Sequence, residues 1–155
     1  MLTIDIPDGR TIRLTHAVFD YNGTIALDGR LPDDIKARLI RLKDCLDLHV
    51  LTADTYGTVV QVMEPLGIRV ATFPQGGASA AKAAAVRALT GGVVCFGNGF
   101  NDLAMFAEAD LAVAILGGEG LFPGLLNLAD VLVASAADGL DLLLCPDRLK
   151  ATLRG

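Results

Sequence analysis

Apolar and polar positions follow two patterns along this chain, a strict alternation near its start and compact apolar runs afterwards. Residues 2–6 and 11–14 alternate around Pro7-Asp8-Gly9-Arg10, a sequence typical of a turn, and this pattern predicts a β-hairpin. The apolar runs are short, as in strands that are buried on both faces of a sheet. They predict strands at 17–19, 46–51, 68–72, 93–96, 111–116 and 131–134.

Segments with helical spacing of apolar residues separate these strands. The predicted helices are 33–43, 55–66, 78–89, 103–109, a turn or two at 125–129, and 138–153 with a break near Pro146. Strands that alternate with helices predict a mostly parallel sheet covered on both faces. We therefore expect an α/β fold, a single three-layer α/β/α domain of Rossmann-like type over residues 1–155, preceded by the hairpin.

Composition narrows the classes of partner and compartment. The chain has 155 residues, a net charge of −5 and a pI of about 4.8, which argues against nucleic acid or an anionic membrane as a partner. No apolar run approaches the roughly 18 residues of a membrane span, and the first residues do not resemble a signal peptide. Cys45, Cys95 and Cys145 are widely spaced, which indicates reduced thiols and predicts a cytoplasmic protein.

The most informative polar residues come directly after the strand at 17–19. Asp20 ends this apolar run, and Gly23 and Thr24 follow it within a turn. A carboxylate at the carboxyl end of a parallel strand lies where open α/β sheets bind ligands, and an aspartate there can attack phosphorus. Gly23 allows a tight turn, and the hydroxyl of Thr24 can bond a phosphate oxygen. These residues predict a phosphate site.

Three further positions are expected at the same edge of the sheet: Thr52, Lys82 and the loop Gly97-Asn98-Gly99-Phe100-Asn101-Asp102. Each has an ordinary structural interpretation when taken alone. Thr52 can cap the next helix, Lys82 can be a solvated lysine, and the glycines can form a simple turn. Their order along the chain, after Asp20, favours a common site.

Together these residues resemble the motifs of the haloacid dehalogenase-like hydrolase superfamily, over residues 17–133. Its first motif, Asp-x-Asp-Gly-Thr, corresponds to residues 20–24, and its second and third motifs correspond to Thr52 and Lys82. Its fourth motif, Gly-Asp-Gly-x-Asn-Asp, corresponds to residues 97–102. The residues of these motifs are most similar to those of the branch called soluble P-type ATPase-like proteins. Both gaps between the first three motifs are short, so we expect no cap domain.

The resemblance implies a phosphohydrolase acting on a small phosphorylated molecule. Asp20 is then the nucleophile, and Gly23, Thr24, Thr52 and Lys82 bind the phosphoryl group, with Lys82 supplying positive charge.

The resemblance also implies a Mg²⁺ site. Its ligands would be Asp20, the backbone carbonyl of Asn22, and Asn98 and Asp102 of the fourth motif. Oxygen ligands with few carboxylates are typical of Mg²⁺ held together with a phosphate.

Two carboxylates of the superfamily are amides in this chain. Asn22 stands where phosphatases have an aspartate acting as general acid and base, and an amide cannot deliver a proton. Losing such catalysis typically costs about 10²–10⁴ in rate, so we expect a preference for leaving groups that need no proton. Asn98 stands where the fourth motif has an aspartate. A neutral amide at this position weakens the attraction for Mg²⁺.

Other interpretations remain at this point. A receiver domain would also use Asp, Thr and Lys, but it carries an acidic pair on its first strand and its acceptor on a later one. A phosphate- or nucleotide-binding regulatory protein, or a partner of a transporter, is compatible with the amides at Asn22 and Asn98.

Without a cap the site should be open, and we expect a homo-oligomer to cover it. Glu119 could meet substrate or lie in a plain surface loop, and His16 and His49 are expected to be structural.

Overall fold

The computed structural model describes residues 1–7, 9–53, 57–74 and 76–155, and within them the central feature is a six-stranded sheet. Before it, β1 and β2 form the predicted antiparallel hairpin, with Ile4 paired to Ile12. Asp8, in the predicted turn, lies outside the described residues. The strands are β1 Leu2–Asp5, β2 Thr11–Leu14, β3 His16–Asp20, β4 Asp47–Thr52, β5 Arg69–Thr72, β6 Val93–Gly97, β7 Leu111–Ile115 and β8 Val131–Val133.

The strand order in the sheet is β5-β4-β3-β6-β7-β8, and each of these neighbouring pairs is parallel. The strand β3 lies between β4 and β6, and all of its residues are buried. Its residues are apolar except at the ends, because both faces of a central parallel strand are covered by helices. The carboxyl ends of all six strands therefore lie at one edge of the sheet.

Helices cover both faces of the sheet and make the three layers. The helices are α1 Asp33–Leu42, α2 Thr58–Met63, α3 Ala78–Arg87, α4 Leu103–Phe106, α5 Ala136–Leu144 and α6 Pro146–Leu153. One apolar core includes residues of the hairpin, α1, α2, α5 and α6, and the stacked rings of Phe19 and Phe96 lie in it at a centroid distance of 4.9 Å. A second core, on the other face, includes Val18 and residues of α3 and α4.

Successive residues of β3 point to opposite faces of the sheet. Phe19 belongs to the first core and Val18 to the second, so Asp20 shares the face of Val18, on which α3 packs. Among the described residues, no helix is long and apolar enough to cross a membrane.

The predicted fold is confirmed, and three of the helical segments differ from the prediction in length, type or position. The segment at 55–66 contains α2 followed by a 3₁₀ turn, Glu64–Leu66, because Pro65 lacks the N–H that a continuing α-helix requires. Residues 54–56 lie outside the description. The segment at 103–109 is the single turn of α4, and in place of 125–129 a 3₁₀ turn lies two residues earlier, at Pro123–Asn127.

Candidate active site

The candidate site lies at the edge where the parallel strands end. Asp20, Thr52 and Gly97 are the last residues of β3, β4 and β6, three adjacent strands. Thr52 is buried and lies one position beyond Leu51, the register partner of Asp20. The alternation of strands and helices thus brings together residues that are far apart in the chain, as the sequence predicted.

Lys82 is the positive centre of this site and is fully buried. Its Nζ donates to Asp20 Oδ1 at 2.6 Å and to Asp102 Oδ1 at 2.8 Å. The lysine belongs to α3, where Ala78, Ala83 and Val86 are buried together with it. Its ammonium group lies at the end of β3, where it meets Asp20. The interpretation of Lys82 as a solvated lysine is excluded by this burial.

The loop after β6 is organised around Asp102. Its Oδ2 accepts hydrogen bonds from the backbone N–H groups of Asn98 and Gly99, both at 3.0 Å, while its Oδ1 accepts from Lys82. A Cβ at Gly97 would lie 2.6 Å from Asp102 Cγ, so only glycine fits there. Both oxygens of Asp102 thus hold partners that fix the loop and the lysine.

Thr24 links the first motif to this loop. Its hydroxyl lies 3.4 Å from Asp20 Oδ2 and 3.3 Å from Asn98 Oδ1. The amide of Asn98 is also held at its other end, where Nδ2 donates to the carbonyl of Gly120 at 3.1 Å. These contacts aim the amide oxygen of Asn98 at the side of the site where Asp20 lies.

Asn22 does not point its side chain freely into the site. Its Oδ1 accepts a hydrogen bond from the backbone N–H of Gly29 at 2.8 Å and so closes the loop that follows the first motif. The adjacent Gly23 has a φ of 79°, a left-handed conformation that a glycine adopts without strain. The amide of Asn22 therefore has a structural function in addition to any catalytic one.

Burial and the two neighbouring charges shift the acid–base behaviour of the site. Burial, and then the charge of Asp102, raise the pKa of Asp20 to about 7, although Lys82 acts in the opposite direction. Burial alone would lower the pKa of Lys82, but the charges of Asp20 and Asp102 outweigh it and raise that pKa. Lys82 is consequently a permanent cation beside Asp20.

The donor set suits a hard cation. Asp20 Oδ2, Thr24 Oγ1 and Asn98 Oδ1 are neighbouring oxygens, and oxygen donors are those that Mg²⁺ prefers. Among the described residues there is no group of three or more His, Cys, Asp or Glu side chains that could hold a metal ion.

Glu119 approaches this site from the loop after β7, which the chain's motifs did not mark as catalytic. A Cβ built on Gly23 would lie 2.5 Å from Glu119 Oε2 and 2.5 Å from Asn98 Nδ2. The sequence signal was only a carboxylate within Gly117-Gly118-Glu119-Gly120, which does not distinguish a site residue from a surface residue.

A cleft adjoins the site at Gly23 and Thr24. Its volume is about 450 Å³, and it lies between the loop after β3, the loop after β7 and the start of α5 at Ser135. Its lining is mainly apolar and combines glycines and alanines with leucines and isoleucines. It offers space for the part of a small molecule that is not a phosphate.

Comparison with known proteins gives sequence relatives and structural neighbours. No family model matches the chain. An uncharacterised protein of Methanocaldococcus jannaschii is 40% identical over 62 residues, which is 40% of this chain and 67% of that protein. A second uncharacterised protein of this organism is 45% identical over 38 residues, 24% of this chain and 86% of that protein.

Three solved structures illustrate the structural neighbours. A protein of Streptomyces avermitilis assigned to the HAD hydrolases has a TM-score of 0.66 at 20% identity, covering 86% of this chain and 87% of its own. The 3-deoxy-D-manno-octulosonate 8-phosphate phosphatase of Moraxella catarrhalis, solved with magnesium and phosphate, has a TM-score of 0.66 at 15% identity, covering 91% and 94%. A zinc-transporting PIB-type ATPase has a TM-score of 0.63 at 22% identity, covering 79% of this chain but 20% of that one.

These neighbours share the architecture described above, a parallel sheet between two layers of helices in a chain of similar length or, in the ATPase, within a larger one. The motif residues also lie together at one edge of this sheet, as the resemblance implied. The chain has the fold of the haloacid dehalogenase-like hydrolases.

Proposed function

We propose that this protein is a Mg²⁺-dependent phosphatase that forms an aspartyl-phosphate on Asp20. The observation that carries the proposal is the contact of 2.6 Å between Asp20 and the fully buried ammonium group of Lys82. Burying charges at the end of a strand costs folding free energy, and proteins usually keep such groups where chemistry requires them. The phosphatases among the structural neighbours support the same activity.

The reaction has two steps. A carboxylate oxygen of Asp20 forms a bond to phosphorus while the bond from phosphorus to the leaving oxygen breaks, and the electron pair departs with the leaving group. Water then attacks phosphorus, the bond to Asp20 breaks, and inorganic phosphate is released with the proton going to solvent. Lys82 offsets the negative charge of the phosphoryl oxygens, and Thr24 and Thr52 offer hydroxyl donors beside them.

The residues that would hold Mg²⁺ are Asp20, the backbone carbonyl of Asn22, and Asn98. The ion would supply positive charge that reduces the repulsion between the phosphate and Asp20. Asp102 was predicted as a further ligand. Because both of its oxygens already accept hydrogen bonds, we propose that Asp102 acts by positioning Lys82 and the loop.

The substrate class follows from Asn22 and the cleft. Since Asn22 cannot protonate a leaving oxygen, acyl and aryl phosphates, or nucleoside triphosphates, should react faster than alkyl phosphates. The cleft beside Thr24 would receive the organic part of a small phosphorylated molecule.

The free state of Cys45, Cys95 and Cys145 supports a cytoplasmic location.

The test is phosphate release from acetyl phosphate and p-nitrophenyl phosphate with and without Mg²⁺. Wild type should release phosphate, and Asp20→Asn should not. Asp28→Asn is the matched control, because it makes the same chemical change at an exposed position of the loop that follows β3. Activity that persists in Asp20→Asn, or that does not need the metal, would overturn the proposal.

A regulatory protein that binds phosphate or a nucleotide is the second candidate, and the amides Asn22 and Asn98 favour it. It predicts phosphate binding without turnover in the same assay. A partner of a transporter is supported only by the fold shared with the zinc-transporting ATPase, of which the aligned part is 20%.

A further inference from the structure

The carboxylate of Glu119 is held close to the first motif by a short closed loop. The backbone N–H of Gly120 donates to the carbonyl of Gly117 at 2.9 Å, and this turn presents Glu119 on the solvent side of the site. Asn98 Nδ2 donates to the carbonyl of Gly120 at 3.1 Å and ties the turn to the loop after β6. Glu119 is therefore attached, through its neighbour in the chain, to the amide that replaces the expected aspartate.

The two side chains converge on one point. Glu119 Oε2 and Asn98 Nδ2 each lie 2.5 Å from the position of a Cβ on Gly23, so they are separated by no more than twice that distance. Gly23 directly follows Asn22, whose backbone carbonyl is a proposed ligand. Only a glycine leaves this space to the two side chains, and the carboxylate of Glu119 consequently lies at the cation end of the site.

The net charge of the site explains why the carboxylate of Glu119 can affect cation binding. Asp20, Lys82 and Asp102 form two ion pairs that share one lysine, so the ionised cluster has a single net negative charge. This charge is small for a site that must attract a divalent cation, and Asn98 adds none. One more carboxylate beside Asn98 would double the negative charge.

We propose that Glu119 supplies the carboxylate charge that Asn98 lacks and thereby strengthens binding of the divalent cation. This proposal rests on the proposed function, because that function requires the cation. Glu119 is a positioning residue for the ion, directly or through a water molecule, and it takes no part in bond making.

The test measures Mn²⁺ affinity by electron paramagnetic resonance, which needs no turnover. Glu119→Gln should weaken Mn²⁺ binding about tenfold, the effect of removing one charge from a divalent ion at roughly 6 Å in a water-like dielectric. Asp147→Asn is the matched control, because Asp147 is an exposed carboxylate on α6, and it should leave the affinity unchanged. In the Glu119→Gln background, Asn98→Asp should restore the affinity.

Three results would overturn the proposal: equal Mn²⁺ affinity in wild type and Glu119→Gln, no rescue by Asn98→Asp, or no Mn²⁺ binding by wild type at millimolar concentration. A loss of alkyl phosphate turnover with unchanged Mn²⁺ affinity would instead make Glu119 a general acid. Acetyl phosphate hydrolysis by wild type and Asp20→Asn, measured alongside, decides separately whether the proposed function holds.

Discussion

At the scale of single residues, Lys82 is the side chain on which the site depends. It is fully buried between two carboxylates, and among the described residues every buried side-chain nitrogen or oxygen has a hydrogen-bond partner. Removing one member of such a network leaves the others as uncompensated buried charges.

Lys82→Met should therefore destabilise the protein by about 3–5 kcal/mol, because Asp20 and Asp102 would face one another without a cation. Urea unfolding at neutral pH measures the difference. Lys36→Met, at an exposed position of α1, is the control and should change stability little. A Lys82→Met protein as stable as wild type would show that the buried ion pairs contribute nothing to the fold.

Asn22 is the residue at which the chemistry departs most from the superfamily. Asn22→Asp should raise turnover of alkyl phosphates by at least about a hundredfold, the lower end of the roughly 10²–10⁴ range of general acid catalysis, and should leave acetyl phosphate turnover nearly unchanged. An aspartate can still accept the hydrogen bond from Gly29, so the loop should persist.

Steady-state kinetics with a matched pair of alkyl and acyl phosphates measures this selectivity. Asn127→Asp adds the same charge at an exposed position and serves as the control. Equal changes on both substrates in Asn22→Asp would mean that position 22 acts on binding or on the metal instead of on the leaving group.

At the scale of elements, the two histidines of the chain join β3 to β4 beneath the site. His16 Nδ1 lies 3.2 Å from His49 Nε2, and His16 Nε2 lies 3.1 Å from the carbonyl of Thr90. Burial, and then the neighbouring His16, lower the pKa of His49, with Arg69 acting in the same direction and Asp47 against it. The predicted structural role of both histidines agrees with this contact.

A lowered pKa in the folded state makes stability depend on pH. His49 is easier to protonate in the unfolded chain, whose histidine pKa is near 6.5, so its contribution is present above that pH and is lost as the pH falls below it. Between pH 7 and pH 5 the urea midpoint of wild type should therefore decrease relative to that of His49→Gln.

Wild type must be compared with His49→Gln because the titration of Asp20 changes the pH dependence of stability in the opposite direction. Its raised pKa means that protonation favours the folded state as the pH falls, and this contribution is the same in both proteins. Parallel pH profiles for wild type and His49→Gln would contradict the assignment of a neutral, buried His49.

At the scale of the whole molecule, the edge of the sheet that carries the site is bordered by exposed apolar side chains. The side chains of Leu27, Leu116 and Phe122 are 43%, 49% and 37% exposed, and that of Phe100 is 66% exposed. The ring centroids of Phe100 and Phe122 are 5.2 Å apart. Within the described residues a single domain forms around the sheet, and no second domain covers this edge. Exposed apolar groups of this kind are typical of interaction surfaces.

We expect a second copy of the chain to cover this edge, so light scattering at micromolar concentration should give the mass of a dimer or a larger oligomer. Phe100→Ser combined with Phe122→Ser should lower that mass. Ile40→Ser, at an exposed position of α1, should not. A monomeric mass for wild type would contradict the prediction of a homo-oligomer.

Much of the fold followed from local patterns. The hairpin, the six strands and the long helices were predictable because a buried parallel strand needs an unbroken apolar run and a surface helix needs apolar residues on one side. The ends of the short helices were harder to predict, since α4 and the 3₁₀ turn at Glu64–Leu66 depend on single residues and on packing.

The sequence by itself determined the order of the elements and the type of each motif residue, because chain order and side-chain chemistry are local properties. Only the tertiary structure decided which charged and polar groups contact one another. It buried Lys82 between Asp20 and Asp102, turned the amide of Asn22 towards Gly29, and brought Glu119 beside Gly23 and Asn98. The physical reason is distance. Electrostatic interactions and hydrogen bonds depend on separations of a few ångströms between residues up to about a hundred positions apart, and packing alone sets those separations.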